Sequence, residues 1–450
     1  MVQGSGQRDL VGIVESSLDQ ALSLGADDAS VVCSSNREKM VRFSNNSITA
    51  VKDIDTTEIF FYLAKAGRRI LGSTSDLDKN GIKEFLGRLM NAANSFKVTK
   101  EFTNLPNQRL PTNEHSDYDA KISEIDDEIA ELANSSMQAS ISSGAKRASG
   151  SLSLHDESIA IRTSGGARGF DKRTKALLNI RAFAEGDSSG HGLSCATKLS
   201  NFDPEKAGTQ AGSYAKRSKK PLGWEEGIYD IILTPTVAAD LVQLVGNASS
   251  AFAVESGLSF LDGQIDEKVA VDELTLRDQG CTPGALDSRV FDDEGLTTHE
   301  NLVIKKGILK TYLHNSTTAK RAKKKSTSNA GIIEPSPWNL LVDTGVYSLE
   351  EMIKEVKKGI LITNNWYTRF QNYRSGEYST IPRDATFLIE KGQIKHPITG
   401  VRISDALPRQ LRNIAAIGID RTWIEWWEVS TPVFTPSLLI NGARATKAVG

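Results

Sequence analysis

The chain has 450 residues, with 54 lysines and arginines against 56 aspartates and glutamates, for a formal net charge of −2. That length supports two or three domains with substantial cores, and the near-neutral balance excludes a general field drawing the chain onto nucleic acid or anionic membrane. No apolar run approaches the ~20 residues of a membrane-spanning helix, and the opening MVQGSG lacks the apolar core of an export signal. Three well-separated cysteines, Cys33, Cys195 and Cys281, suit a reducing compartment better than a disulfide framework or a thiolate zinc cage. A cytoplasmic protein is expected.

Leu10, Ile13, Val14, Leu18 and Ala21 share one helical face and Gly25 is a natural stop, so a helix is expected over 9–24. Short alternating strands follow over 29–33, 40–43, 47–51, 58–63 and 69–73. Helical spacing returns over 78–95 and completes a small α+β domain, 1–105. Pro106, Pro111 and three asparagines mark a crossing over 98–117. A long amphipathic helix over 118–142, carrying Ile122, Ile125, Ile129, Leu132 and Met137, leads into strands over 148–154, 158–163 and 175–184. The glycines of 165–169 lack the strand-to-helix setting of a phosphate loop and read as a turn. Asp203-Pro204-Glu205 opens a further helix, and Pro221-Leu222-Gly223 ends this central helix-and-meander domain, 106–222.

A strand-rich third domain is expected over 223–450. A buried strand over 229–233 precedes a helix opened by Thr234-Pro235 and carrying Val237, Leu241, Leu244 and Val245. Strands over 301–304 and 308–313 flank Lys305-Lys306-Gly307 as a hairpin. An acidic loop, Asp292-Asp293-Glu294, precedes the hairpin, and a basic, hydroxyl-rich loop follows it as far as Asn329. Loops of opposite sign on one rigid hairpin suit an extended polar ligand. Ser348 and Glu351 form a capping box for a helix over 349–358. Strands over 360–363, 385–390 and 393–395, a helix over 404–416 and a strand over 437–440 complete the domain. The aromatic run of Trp423, Trp426 and Trp427 reads as sheet packing.

Several of these stretches carry a resemblance. FDDEGL from Phe291, GILKTYLHNSTTAKR from Gly307, STSN from Ser326, NYRSGEYS from Asn372, FLIEKGQI from Phe387 and NIAAIGID from Asn413 resemble the C-terminal domain of the TldD/PmbA family. Gly25-Ala26-Asp27-Asp28 and Gly72-Ser73-Thr74-Ser75 match its N-terminal part more weakly. The resemblance implies an α+β fold of three domains and a C-terminal sheet lining a peptide-sized cavity. It also implies an intracellular metal-dependent peptidase acting on peptides and partly unfolded chains, often as a TldD and TldE pair. Asp292, Asp293, Glu294, Gly295, Thr327, Asn329, Asn372, Gly376 and Ser379 fall on its motifs as candidate contacts with substrate or partner. Asp, Asn, Ser and Gly are also the usual turn formers, so turn chemistry is the competing reading.

Catalytic members of that family carry H-E-x-x-x-H on the helix after the first strand of the C-terminal domain. Two histidines one turn apart can chelate zinc, with the glutamate as general base. Here 236–245 reads TVAADLVQLV, without histidine. The family's later cysteine-bearing segment falls on Ser430-Thr431-Pro432-Val433-Phe434, which has none. His115, His155, His191, His299, His314 and His396 are scattered. Only His299, His314 and Asp292 lie near enough in sequence to suggest a distant metal set, against the commoner hydrogen-bonded or solvated histidine.

The resemblance therefore narrows to a TldE/PmbA-type subunit with no catalytic or metal-binding residue of its own. Zinc is expected on a TldD-type partner in a heterodimer that takes peptides or unfolded chains. The alternative is a non-catalytic peptide-binding adaptor or regulator without a peptidase partner. Lys320, Arg321, Lys323, Lys324 and Lys325 could meet phosphates, but no nucleic-acid fold accompanies them and they read as a solvated loop. A serine hydrolase is not expected, because no nucleophile elbow is recognised.

Overall fold

The structure, a computed structural model, describes residues 9–98, 104–110, 117–331 and 333–448. Asp9 caps α1 (Leu10–Ser23), which buries Leu10, Val14, Leu18 and Ala21 as its periodicity requires. The short strands expected next are instead two long ones, β1 (Asp28–Ser44, 17 residues) and β2 (Ser47–Lys65, 19 residues). Their polar middles stay in the ladder because pairing uses the backbone, and one face of this sheet looks onto a cleft instead of a core. β3 (Arg68–Thr74) and α2 (Lys79–Ala92) follow.

α3 (Ala120–Glu124) and α4 (Glu128–Ser142) replace the single helix expected over 118–142. Lys39 of β1 takes the Ile125 carbonyl at 2.5 Å and the Asp126 carboxylate at 2.9 Å, which diverts that carbonyl from the helical ladder. β4 (Arg147–Thr163) and β5 (Arg168–Phe183) are again longer than expected and meet at the glycine turn, where Gly166 has φ +96°. β6 (Ser189–Ala196) and α5 (Pro204–Arg217) complete this half, with Asp203 accepting from the Lys206 N–H at 2.8 Å.

All six strands form one antiparallel sheet, ordered β3-β2-β1-β4-β5-β6. Segments 1–105 and 106–222 thus share a sheet while keeping separate cores. α1 and α2 cover Val31, Cys33 and Phe61, whereas α4 and α5 cover Phe43, Leu152 and Leu178. Gly208 lets α5 approach α4, since a Cβ there would sit 2.1 Å from the Ser136 carbonyl oxygen. The helices occupy one face, and the other carries the cross-strand row Asn36, Glu157, Arg173. That polar face turns toward the third domain.

The third domain opens with β7 (Gly227–Leu233), α6 (Pro235–Ala248) and α7 (Ala251–Glu255). Then come β8 (Leu276–Gln279), β9 (Glu300–Lys305), β10 (Ile308–Leu309), α8 (Ser316–Ala322), β11 (Leu340–Val342) and α9 (Leu349–Glu355). β12 (Lys358–Ile362), β13 (Asn365–Asn372), β14 (Glu377–Pro382), β15 (Thr386–Glu390) and β16 (Gln393–Pro397) form the next run. β17 (Val401–Ala406), α10 (Leu407–Arg412), β18 (Ile414–Ile417), β19 (Thr422–Trp426), β20 (Val429–Thr435) and β21 (Leu438–Lys447) finish it.

Two sheets result. One is ordered β13-β14-β17-β21-β7-β12-β15-β16, with β18 also on β21, and the other β10-β9-β8-β11-β20-β19. α6 packs against strands of both and is buried on nearly every side, as an apolar helix between layers must be. The fold is α+β throughout.

Three expectations here need correction. The hairpin exists, with Lys306 and Gly307 both at positive φ as a primed turn demands, but its return strand is only Ile308–Leu309. The capping box of Ser348 and Glu351 starts α9, yet the helix stops at Glu355 because Lys358 already pairs with β15. No single helix fills 404–416. Ser404 and Asp405 pair with β14, Pro408 marks the true helix start, and residues 414–417 pair with β21.

Candidate functional site

The acidic loop closes on its own aspartate. Asp292 accepts the N–H groups of Glu294 and Leu296 on Oδ1 at 3.0 and 2.9 Å, and that of Ala330 on Oδ2 at 3.2 Å. Burial, reinforced by Glu294, holds its carboxyl well above the usual range. Gly295 turns the chain at φ +79°, and a Cβ there would lie 2.4 Å from Ala167 Cβ on the β4–β5 turn. The loop is therefore fitted against the first sheet.

Thr327 and Asn329 fix the opposing loop. Thr327 Oγ1 accepts from the His314 N–H at 2.6 Å. Fully buried Asn329 donates to Asp278 Oδ2 at 2.7 Å and to the Ser336 carbonyl at 3.0 Å, and accepts from Asn301 at 3.1 Å. Burial raises the Asp278 carboxyl to about 6 against these donors. A hydrogen-bonded framework thus joins the loops across the hairpin.

Of the nine candidate residues, Asp293 and Glu294 line open space between the sheet and the loops, whereas Asn372 is exposed at the surface elsewhere. They border two adjoining cavities, of about 370 and about 80 Å³, which share Val32, Phe60 and Asp293 and lie between the cleft face of the first sheet and residues 289–294. Arg289 holds Asp293 at 2.7 Å, and Glu294 accepts the Ser316 N–H at 2.8 Å. Burial also raises the Glu294 carboxyl. Across the smaller cavity, Arg69 donates to Thr317 Oγ1 at 2.7 Å. The result is a slot between sheet and loops, polar on its walls and apolar at Phe60 and Ile159.

The remaining three candidates lie away from the slot lining, at the β13–β14 hairpin. Asn372 Oδ1 accepts from the Arg374 and Ser375 N–H groups at 3.0 and 3.3 Å, a side-chain-closed turn. Gly376 has φ +68° and faces Phe260 and Pro408. Ser379 pairs within the sheet opposite Arg369 and Ser404.

The helix on which the resemblance would place zinc ligands is α6, and it meets the 428–431 segment directly. Ser430 N–H donates to Gln243 Oε1 at 3.0 Å, while Gln243 Nε2 donates to the Glu428 carbonyl at 2.5 Å and to Asp240 Oδ1 at 3.2 Å. Asp240 Oδ2 accepts from Asn365 Nδ2 at 2.7 Å and from the Thr368 hydroxyl. Burial lifts the Asp240 carboxyl to about 6.

This donor set does not fit zinc. The Asp240 oxygens already face N–H and O–H donors, the neighbours are amides and hydroxyls, and neither imidazole nor thiolate is present. Among the described residues no group of three His, Cys, Asp or Glu side chains is placed to hold a metal ion. His314 is buried with Nδ1 3.1 Å from Thr318 Oγ1, whereas His299 is exposed with Nδ1 3.5 Å from its own loop at Thr297 O. His115 lies outside the described residues.

Two features escaped the sequence reading. Arg173 and Lys175 of β5 meet Glu157, Asp287 and Glu425 in a buried ionic cluster joining the first sheet to the third domain. Alternate charges along Asp171, Arg173 and Lys175 were its available signal. The spelling GDSSG over 186–190 does have the spacing of a nucleophile elbow. It forms the β5–β6 turn, however, with Ser188 Oγ donating to the Glu185 carbonyl at 2.7 Å, and not the strand-to-helix turn such an elbow needs. Among the described residues no helix is long and apolar enough to cross a membrane.

Comparison with known proteins agrees with this fold. The PmbA/TldA metallopeptidase C-terminal domain matches residues 226–447, and the corresponding central domain matches 111–219. A metalloprotease PmbA homolog from Buchnera aphidicola is 32% identical over 191 residues, 42% of this chain and 41% of the relative. Metalloprotease PmbA of Escherichia coli O157:H7 is 29% identical over 230 residues, 51% and 46% of the respective chains. The matched stretch thus spans less than half of each of these curated relatives. TldE from Thermococcus kodakarensis superposes with a TM-score of 0.85 at 18% identity, covering 96% of this chain and 100% of its own. With the two matched domains together taking in most of the chain, the protein is a member of the TldD/PmbA family.

Proposed function

We propose that this chain is a TldE/PmbA-type subunit. It pairs in the cytoplasm with a TldD-type homologue that carries the zinc, and it shapes the chamber through which peptides or unfolded chains reach that metal. The observation that carries this reading is the closed network of Asp240, Gln243, Asn365 and Thr368 on the helix where the resemblance places a chelating set. Whole-chain similarity to the TldE fold supports it.

Under this reading the chain's own residues bind, orient and admit substrate. The slot bordered by Asp293 and Glu294 presents carboxylates and Arg289 to an extended chain, with Phe60 and Ile159 for apolar side chains. Peptide hydrolysis by the purified chain, with and without added zinc and with a TldD-type homologue, tests the proposal. Turnover that requires the homologue supports it. Strong zinc-dependent turnover by the chain alone refutes it, and peptide binding with no productive homologue would favour an adaptor instead.

A further inference from the structure

The cleft face of the first sheet holds a second concavity, farther along the same strands and separated from the slot by the contact of Lys175 with Glu425. It encloses about 700 Å³ between β1, β4, β5 and the turn that joins β19 to β20. Its floor is low and hydroxylated, because Ser149, Ser151 and Ser153 project from alternate positions of β4. An extended chain can lie across such a floor without obstruction. Phe183 stands at one side, with the guanidinium groups of Arg147 and Arg181 at 4.2 and 5.0 Å from its ring centre. On the other side Trp426 and Trp427 meet edge to face at 5.3 Å, and Trp427 remains 56% exposed.

The charge of this groove is one-sided. Arg42 and Arg181 line it, and Arg147 stands beyond Phe183. Arg181 is bound to Asp384, but among the described residues neither Arg42 nor Arg147 has a carboxylate partner. Glu425, the carboxylate on the wall, is held by Lys175 at 2.7 Å. An exposed indole beside unpaired guanidinium groups suits an anionic ligand with apolar side chains. Arginine pairs with carboxylates through two parallel hydrogen bonds, and tryptophan and arginine are the residue types that dominate binding energy at interfaces.

We propose that this groove binds acidic stretches of extended polypeptide, with their carboxylates on Arg42 and Arg147 and an apolar side chain over Trp427. The assignment rests on the peptide-handling reading above and adds a substrate class and a surface to it.

The test is fluorescence anisotropy of a fluorescein-labelled decapeptide of alternating glutamate and leucine, titrated with the full chain alone. Saturable binding that weakens as salt rises is expected, with no binding of the lysine–leucine counterpart. Trp427→Ala should weaken binding roughly tenfold, and the pair Arg42→Gln with Arg147→Gln should weaken it and flatten its salt dependence. These side chains lie at the surface, and circular dichroism of each variant confirms that it is folded. Equal binding of acidic and basic peptides, or indifference to Trp427→Ala, overturns the assignment. So does tighter binding of a labelled oligothymidylate through the same residues, which would make this a nucleic-acid groove. Because the readout needs no zinc, homologue or hydrolysis, a negative result leaves the subunit reading standing, and loss of that reading leaves any binding measured here intact.

Discussion

Gln243 of α6 and Ser430 of β20 are joined by a hydrogen bond of 3.0 Å, and the same carboxamide reaches Asp240 and the Glu428 carbonyl with its other end. Both ends of the amide are used, so the side chain acts as a strut between the two segments on which the family resemblance places metal ligands. Structure at this position maintains the third domain's core.

Gln243→Leu removes the strut and leaves the Asp240 carboxylate and three backbone groups, the Glu428 carbonyl and the Ser430 and Thr431 N–H groups, short of partners. A loss on the order of 2–4 kcal/mol is expected, visible as a lower midpoint in urea. Neither zinc nor EDTA should move the midpoint of the wild-type chain under this reading, since α6 carries neither histidine nor cysteine.

Stability should fall as pH rises. Burial raises the carboxyl of Asp240 to about 6 and that of Glu425 to about 7, so the folded chain holds these protons more tightly than the unfolded chain does. The stabilisation is complete below the ordinary carboxyl range and is lost as pH climbs through about 6 for Asp240 and about 7 for Glu425. Glu425→Gln, which keeps an acceptor for Lys175, should flatten the upper part of this slope in melting curves from pH 5 to 8. A slope of the same size in the variant would assign the effect elsewhere.

Gly295→Ala should destabilise the acidic loop. The residue must hold φ +79°, and its new methyl group would meet Ala167 across the seam between domains. A decrease of several degrees in melting temperature is expected, relieved in part by Ala167→Gly. Independent effects of the two substitutions would argue against this contact.

Asn329→Ala removes bonds to Asp278, Ser336 and Asn301 within a fully buried framework. Trypsin should then cleave faster at the neighbouring exposed lysines, Lys323 to Lys325, while the far β1–β2 hairpin keeps its protection. Uniformly faster cleavage would indicate global unfolding instead.

How far the sequence could be read follows from where each signal resides. Helices α1 and α5 announced themselves because capping and apolar spacing are local, and α6 through Pro235 at its first turn and its apolar residues, although Thr234 makes no side-chain cap. The lengths of β1 and β2 did not, since residues such as Arg37 and Asp53 sit in the ladder without any alternation to mark them. The acidic loop was legible as turn chemistry and as a family motif together, and in the structure Asp292 serves the turn while Asp293 and Glu294 face the slot. The cluster of Arg173, Lys175, Asp287 and Glu425 draws on positions up to 252 apart in number, and the alternate charges along Asp171, Arg173 and Lys175 are its one local trace. Polar Asp240 and Gln243 on an otherwise apolar helix were visible, but only their partners on β13 and β20 give them meaning.

The central claim is that chemistry resides on a partner and access on this chain. Its most direct test is the rate of hydrolysis of a labelled unstructured peptide by the purified chain with zinc, compared with the rate after adding a TldD-type homologue that retains the histidine pair. The account predicts background turnover from the chain alone and zinc-dependent turnover from the mixture, exceeding that of the homologue by itself. Zinc-dependent hydrolysis by this chain alone, abolished by EDTA, would contradict it.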